Sequence, residues 1–462
     1  MANTGFSGNA IETLSKIKNE PDWMRARRLE AWRLFEATPS PAPNDELWRR
    51  SSLGDLKFDV TVPFSVNDAS DDALTALPEK FQQIANDPHA SGVIAQYNSA
   101  GTWARLADDL KKRGVIFCDL ATAIREHPDL VKQYLMTQAV TYTENRYSTK
   151  PSASGQHERG GYGDTIGDLK FAALHGAFLS GGTFLYVPRN VVLDSPLQTL
   201  TYFDAPNVAI FTHTLVVLEE GASVKLVENY ASKETEAQRF SNGAVELILK
   251  PGSRLQYFHL QDFAHNVWHF ASQTALMHQD ASLTWLTGTL GSQTTKAFLD
   301  CKMLGTGANA AILGFFFGDG KQHFDQHTFQ NHVVGHATSD LLYKGALKDK
   351  ANSTFRGLIR VAPNAQRSDA YQANRNLLLS EHAHADSIPE LEIEADDVRC
   401  THGATIGPID PEQVFYLMAR GIERVQAEQL ITEGFFDPLM QKIPLESVRD
   451  DLTAAIQSKI GT

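Results

Sequence analysis

Two short stretches concentrate the residue types that ligate metals or move protons. In DDVRCTHGATIGPID, Cys400 stands two residues before His402 and just ahead of a glycine-rich turn. If VRCTH continues a strand, alternating side chains put Cys400 and His402 on one face, within reach of a single metal. Thiolate and imidazole suit zinc, iron or an iron–sulfur cluster, but two ligands do not fill a tetrahedral site. On spacing alone the commoner arrangement is a structural cysteine beside a hydrogen-bonded histidine. A nucleophilic cysteine is a weaker reading, because no activating base can be identified. The second stretch, HFDQHTFQNHVVGH, holds His323, His327, His332 and His336. His323 and His327 would share a face in helix or strand, as would His332 and His336, so a metal role stands beside the plainer reading that they line turns and strand edges. No HExxH accompanies them, which argues against a metalloprotease.

Two further candidates are weaker. Asp396 and Asp397, with Glu392 and Glu394 just before them, could supply the acid and base of a glycoside hydrolase or lyase. Adjacent strand residues point to opposite faces, however, so only a bend would bring both carboxylates together. GDGKQ around Lys321 has the look of a phosphate-loop ending, but Phe315 and Gln322 stand where the motif needs Gly and Ser or Thr. The chain should bind no nucleotide itself. No G-x-S-x-G elbow is present.

The elements that must position these residues fall into three textures along 462 residues, 42% of them hydrophobic and 21% charged. A net charge of −13 argues against a nucleic-acid partner. Cys118, Cys301 and Cys400 are too few and too far apart for a disulfide framework, which suits a reducing, cytoplasmic setting. No apolar run approaches the roughly 20 residues of a membrane span. PDWMRARRLEAWRLFEA reads as an amphipathic helix with Leu29, Trp32 and Phe35 on one stripe and Arg25, Arg27, Arg28 and Arg33 on a solvated face. TPSPAPND ends it as a loop, GVIFCD reads as a strand that buries Cys118, and DLATAIREH and PDLVKQYLM read as short helices. The polar, glycine-rich run from 147 to 168 reads as a flexible linker between a helical domain at 1–146 and the rest of the chain.

From about Phe171 short apolar runs alternate with Gly, Asn and Asp, with scarcely any helical periodicity. A unit of apolar run, small-residue turn and second apolar run recurs at Gly221, Gly252, Asp280 and Gly307, in steps of 31, 28 and 27 residues. A period in that range marks a solenoid whose units stack to bury a shared face, here a parallel β-helix over 169–407; a β-sandwich would not need the period. Cys301 falls in its core. From Asp410 the pattern turns helical again, with Asp410 and Pro411 as a start signal, so 408–462 forms a helical domain of about four short helices that caps the solenoid or docks a partner, with Phe435 and Phe436 as packing residues.

KGALKDKANSTFRGLIRVAPNAQRSDAYQANRNLLLS, followed by PELEIEADDVRCTHGATIGPIDPEQVFYLMARGI, closely resembles the SufB/SufD family of iron–sulfur cluster assembly scaffolds. LKFAALHGAFLSGGTFLYVPRNVVLDSPLQ extends that likeness upstream. The resemblance implies a mainly β fold, a right-handed parallel β-helix core flanked by N-terminal and C-terminal helical domains. It also implies a job that is not enzymatic: supporting cluster assembly and the admission of iron at an interface with a SufB-type paralogue, under control of an ABC-type ATPase, the SufC type, which docks on the C-terminal helices. A homodimer is expected when the chain is isolated. Ala373 stands where a SufB-type chain would carry a cysteine, and Gly403 of CTHGAT replaces an acid, so the resemblance is to the SufD type. It assigns His402 as a ligand of iron or a nascent, transiently shared iron–sulfur cluster, with Cys400 supporting or packing beside it.

Overall fold

The computed structural model describes residues 5–58, 61–65, 74–99, 101–142, 168–443 and 445–461. Of the expected linker, 147–167 lies outside the described residues. The centre of the molecule is a parallel β-solenoid whose chain alternates between two facing sheets. One sheet stacks β8 (Ser223–Ser232), β10 (Arg254–Asp262), β12 (Ser282–Thr289), β14 (Asn309–Gly318), β16 (Thr338–Leu347), β18 (Asp369–Leu378) and β20 (Arg399–Pro408). The other stacks β9 (Arg239–Leu249), β11 (Val267–Met277), β13 (Thr294–Met303), β15 (His323–His332), β17 (Asn352–Val361) and β19 (His384–Ile393). Arg254 lies opposite Ser223, Ser282 opposite Arg254 and Asn309 opposite Ser282, the same steps of 31, 28 and 27 residues that separate the sequence repeats. The predicted solenoid is therefore present, with two long strands in each of these turns.

The repeat has a backbone cause. Gly221, Gly252, Asp280, Gly307 and His336 all hold positive φ, between 54° and 76°. Each sends its N–H to a carbonyl of the next turn: Gly221 to Pro251, Gly252 to Gln279, Asp280 to Thr306, Gly307 to His336 and His336 to Gln366. Gly, Asn and Asp tolerate that left-handed conformation, so they punctuate the chain once per turn. Between the sheets, in-register columns such as Leu226, Tyr257, Trp285, Ile312 and Leu341 fill the interior. Burying each such side chain contributes about 1.5–3 kcal/mol, which no single turn could gather alone.

The N-terminal part is not purely helical. Helices α1 (Gly8–Ile17), α2 (Asp22–Ala37), α3 (Glu79–Ala85), α4 (Asp108–Lys112), α5 (Leu120–Glu126) and α6 (Pro128–Tyr134) are interleaved with β1 (Gly92–Tyr97), β2 (Gly101–Leu106) and β3 (Ile116–Asp119). β1 runs parallel to β5 (Leu197–Phe203), and β3 pairs antiparallel with β4 (Gly181–Val187), so this region extends both sheets. Near Phe171, where the sequence reads as all-β, the chain forms α7 (Leu169–Phe178). Eight of its ten residues are buried, so it shows no amphipathic stripe. Asp168 caps it by accepting from Phe171 N at 3.0 Å. β6 (Ala209–Ile210) and β7 (Thr212–Leu218) complete the first turns.

Arg28 of α2 does not lie on the expected solvated face: it is buried against Glu20 at 2.5 Å and donates to the carbonyls of Ala177 and Leu179. That anchors α2 to the end of α7. The C-terminal segment forms α8 (Pro411–Met418), α9 (Arg424–Met440) and α10 (Glu446–Gly461), three helices among the described residues rather than four, because α9 continues through Phe435 and Phe436. These helices do not cap the solenoid. Phe436, Leu439, Ile443, Val448 and Leu452 pack on Val227, Phe258, Leu313, Phe315 and Leu342, the outer face of one sheet. Among the described residues no strand pairs with the outer edges of the last turn.

Candidate functional site

β20 is the outermost strand of one sheet and β19 of the other. Cys400 pairs with Ala370 of β18, and His402 with Gln372. Gln372 is buried and donates to the carbonyls of Gly357 at 3.0 Å and Glu390 at 3.4 Å, across the solenoid. Its column therefore points inward, and Cys400 packs against Ile359, Val361 and Ala370 in the same interior. Cys400 and His402 thus share the inward face of β20 at the one turn with nothing stacked beyond it among the described residues. Cys400 is half-buried, and burial raises its thiol pKa, with Asp369 adding to the shift. The His402 side chain is exposed. The floor beneath is polar: Gln372 Oε1, Asn374 Nδ2 and Asn376 Oδ1 are buried without a partner among the described residues.

No three His, Cys, Asp or Glu side chains come close enough to hold a metal ion among the described residues. Cys400 and His402 are two soft donors at a rim, so a cluster held there needs ligands from another chain or from sulfide. The rim is sticky as well as open. Tyr371, Leu391, Ile393 and Ile406 are exposed large hydrophobics around it, and both outer strands lack a neighbour among the described residues. Such edges favour pairing with another chain. Beside the rim, Phe415, Tyr416 and Met418 of α8 and Val425 and Leu430 of α9 are exposed. Phe415 and Met418 line a groove of about 520 Å³ between α8, α9 and the last turns.

The four-histidine run does not converge. β15 sends His323 and His327 outward and His332 inward, while His336 is a turn residue with φ of 60°. The outward pair belongs to a buried charged group that sequence reading missed. Lys296 Nζ is 2.5 Å from Asp325 and 2.8 Å from His327, and also donates to the carbonyl of Leu47. Ser51 donates to Asp325 and stands 3.1 Å from His323. His327 and Lys296 pull the Asp325 pKa far below the carboxylate range against its burial. The group clamps the 45–51 segment to the solenoid. Asp325 and His327 are near neighbours in sequence, but Lys296 lies about one turn away and Leu47 and Ser51 more than 240 residues away, so no local pattern joins the group.

A second such group joins His175 of α7, His213 of β7 and Glu246 of β9. His175 Nε2 is 3.0 Å from His213 Nδ1, and His213 Nε2 is 2.9 Å from Glu246, which also accepts from Met136 N and Val140 N. Asp396 and Asp397 sit in the exposed turn before β20, where Asp397 pairs with Arg367 at 3.5 Å and its carbonyl continues the stacked turn column. Gly320 of GDGKQ is a turn residue ahead of a strand, not of a helix. Cys301 is fully buried between the sheets, and Cys118 is half-buried in β3 with its thiol pushed up to about 12 by burial.

The family model described as SUF system FeS cluster assembly, SufBD core domain, matches residues 201–435, and the SufBD protein N-terminal region matches 12–199. The chain is 30% identical over 451 residues to an iron-sulfur cluster assembly SufBD family protein of Staphylococcus haemolyticus, covering 96% of this chain and 90% of that one. Proteins of the same description from Staphylococcus epidermidis and Staphylococcus aureus are 29% identical over the same shares. No helix among the described residues is long and apolar enough to cross a membrane.

Proposed function

Because the chain belongs to the SufBD family of iron–sulfur cluster assembly proteins, we propose that it is the SufD-type scaffold subunit of a SUF assembly complex. The observation that carries this reading is the last turn, where His402 and Cys400 stand at the mouth of the interior beside two strand edges that have no neighbour among the described residues. A SufB-type paralogue stacks its own last turn on this rim. His402 then supplies one ligand of iron or a nascent cluster, cargo that the paralogue's ligands complete, with Cys400 packing beneath. Soft donors at a closable interface shield the cluster from water and bind it weakly enough for release. In isolation the same rim pairs with a second copy. The exposed apolar residues of α8 and α9 dock the ATPase, which binds the nucleotide that this chain does not. Closure of the ATPase moves the rim, so nucleotide and cluster occupancy are coupled. The setting is the cytoplasm, and the subunit scaffolds rather than catalyses.

The test is an anaerobic pull-down of the tagged chain from its host, followed by reconstitution with iron and sulfide. Co-purification of an ABC-type ATPase and a related paralogue, with cluster absorbance lost in His402→Ala while the complex persists, is the expected result. A chain recovered alone, or a His402→Ala complex with undiminished cluster, overturns the proposal.

A further inference from the structure

The interior of the solenoid holds three sulfur atoms in one buried group. Cys301 Sγ lies 3.5 Å from Met277 Sδ and 4.0 Å from Met303 Sδ. All three residues are fully buried and come from neighbouring strands, Met277 of β11 standing in register with Met303 of β13. Two sulfurs bound to one metal at about 2.3 Å each can stand up to about 4.6 Å apart, so the separations of Cys301 from Met277 and from Met303 can each be spanned by one ion. Thioethers are poor ligands for hard or borderline ions, and a thiolate with two thioethers selects a soft monovalent metal.

The next turn adds a nitrogen. His332 is in register with Met303 on the same inward column and is fully buried. Its Nε2 is 2.8 Å from Ser339 Oγ, while its Nδ1 has no partner among the described residues. Ser339 Oγ also accepts from Gln330 Nε2 at 2.7 Å, so its contact with His332 admits either tautomer; with the imidazole proton on Nε2, the Nδ1 lone pair is bare, the orientation that outer hydrogen bonds impose on metal-binding histidines. Between this group and the rim, Gln330, the register neighbour of Cys301, and Gln372 place buried, unpartnered polar atoms in the interior.

We propose that Met277, Cys301 and Met303, with His332 in reserve, form a buried site for one monovalent copper ion, separate from the His402 rim. Binding deprotonates the Cys301 thiol: one copper–sulfur bond replaces the S–H bond, the proton leaves to solvent, and no electron is transferred.

The test uses full-length protein carrying Cys118→Ser and Cys400→Ser, so that Cys301 is the sole thiol. Under anaerobic conditions it is titrated with Cu⁺ against a competing chelator, and X-ray absorption is recorded at the copper edge. The expected result is one retained equivalent with a sulfur shell near about 2.3 Å and a raised Tm. Adding Met303→Leu, which keeps the volume, weakens retention about tenfold or more; adding Cys301→Ser abolishes it. Circular dichroism confirms that each variant is folded. No retained copper, a shell without sulfur, or retention unchanged by Met303→Leu overturns the proposal.

Discussion

Acidification should unfold this protein through its histidines before its carboxylates titrate. Burial lowers the pKa values of His175 and His269 to about 3 and that of His327 to about 4. In the unfolded chain each imidazole returns to about 6.5. A histidine with a depressed folded pKa stays neutral in the native state while the unfolded chain takes up its proton. The stability it supports is complete above pH 6.5 and falls as the pH drops towards the folded value. Between pH 7 and pH 5 the loss is about 2 kcal/mol for each group, or about 6 kcal/mol for the three. His265 acts in the opposite direction, since its hydrogen bond to Asp319 raises its pKa, but that pair is partly solvated and is worth about 1 kcal/mol at most. A loss of about 6 kcal/mol matches the whole stability of many proteins, so the native state should fail near pH 5. Urea titrations at pH 7, 6 and 5, followed by tryptophan fluorescence, measure this directly. In His269→Gln one proton leaves the linkage, and the pH slope should flatten by about 1.4 kcal/mol per unit. A urea midpoint unchanged between pH 7 and 5.5, or the same slope in His269→Gln, would refute the reasoning.

Single contacts give four more expectations. Arg28→Ala strands the buried Glu20 carboxylate and two carbonyls, and should cost about 3–5 kcal/mol in denaturant unfolding. Gly182→Ala should yield insoluble chain in an expression assay, because φ is +129° and a Cβ would collide with the backbone of His213. Phe436→Ala removes a ring that packs on Phe315 at 6.2 Å; it should cost about 3–5 kcal/mol and speed proteolytic release of α9 and α10. Phe415→Ser touches only an exposed residue, so stability should hold within about 0.5 kcal/mol while co-purification of the proposed ATPase partner falls.

Local chemistry made much of this architecture readable. The left-handed turn positions recur once per turn, so Gly221, Gly252, Asp280 and Gly307 disclosed both the solenoid and its step length before any strand was paired. Alternation along VRCTH put Cys400 and His402 on one side, and Asp410 with Pro411 marked the start of α8. α7 escaped because a helix buried on every side has no periodic stripe to detect. Arg28 was misplaced because a charge on a helix normally faces water, and only the carbonyls of Ala177 and Leu179 show that this one does not.

The sequence by itself determined the family, the stacked-strand core and the strand that bears His402, because each depends on residues close together in the chain. Tertiary structure alone decided which end of the solenoid stays open, that the C-terminal helices flank it rather than cap it, and that Lys296, Asp325 and Ser51 meet. It also decided that the four histidines part company and that three sulfurs come together. Those outcomes depend on which turn stacks on which and on which apolar face finds a partner. They arise from contacts between residues tens to hundreds of positions apart, where short-range periodicity carries no information.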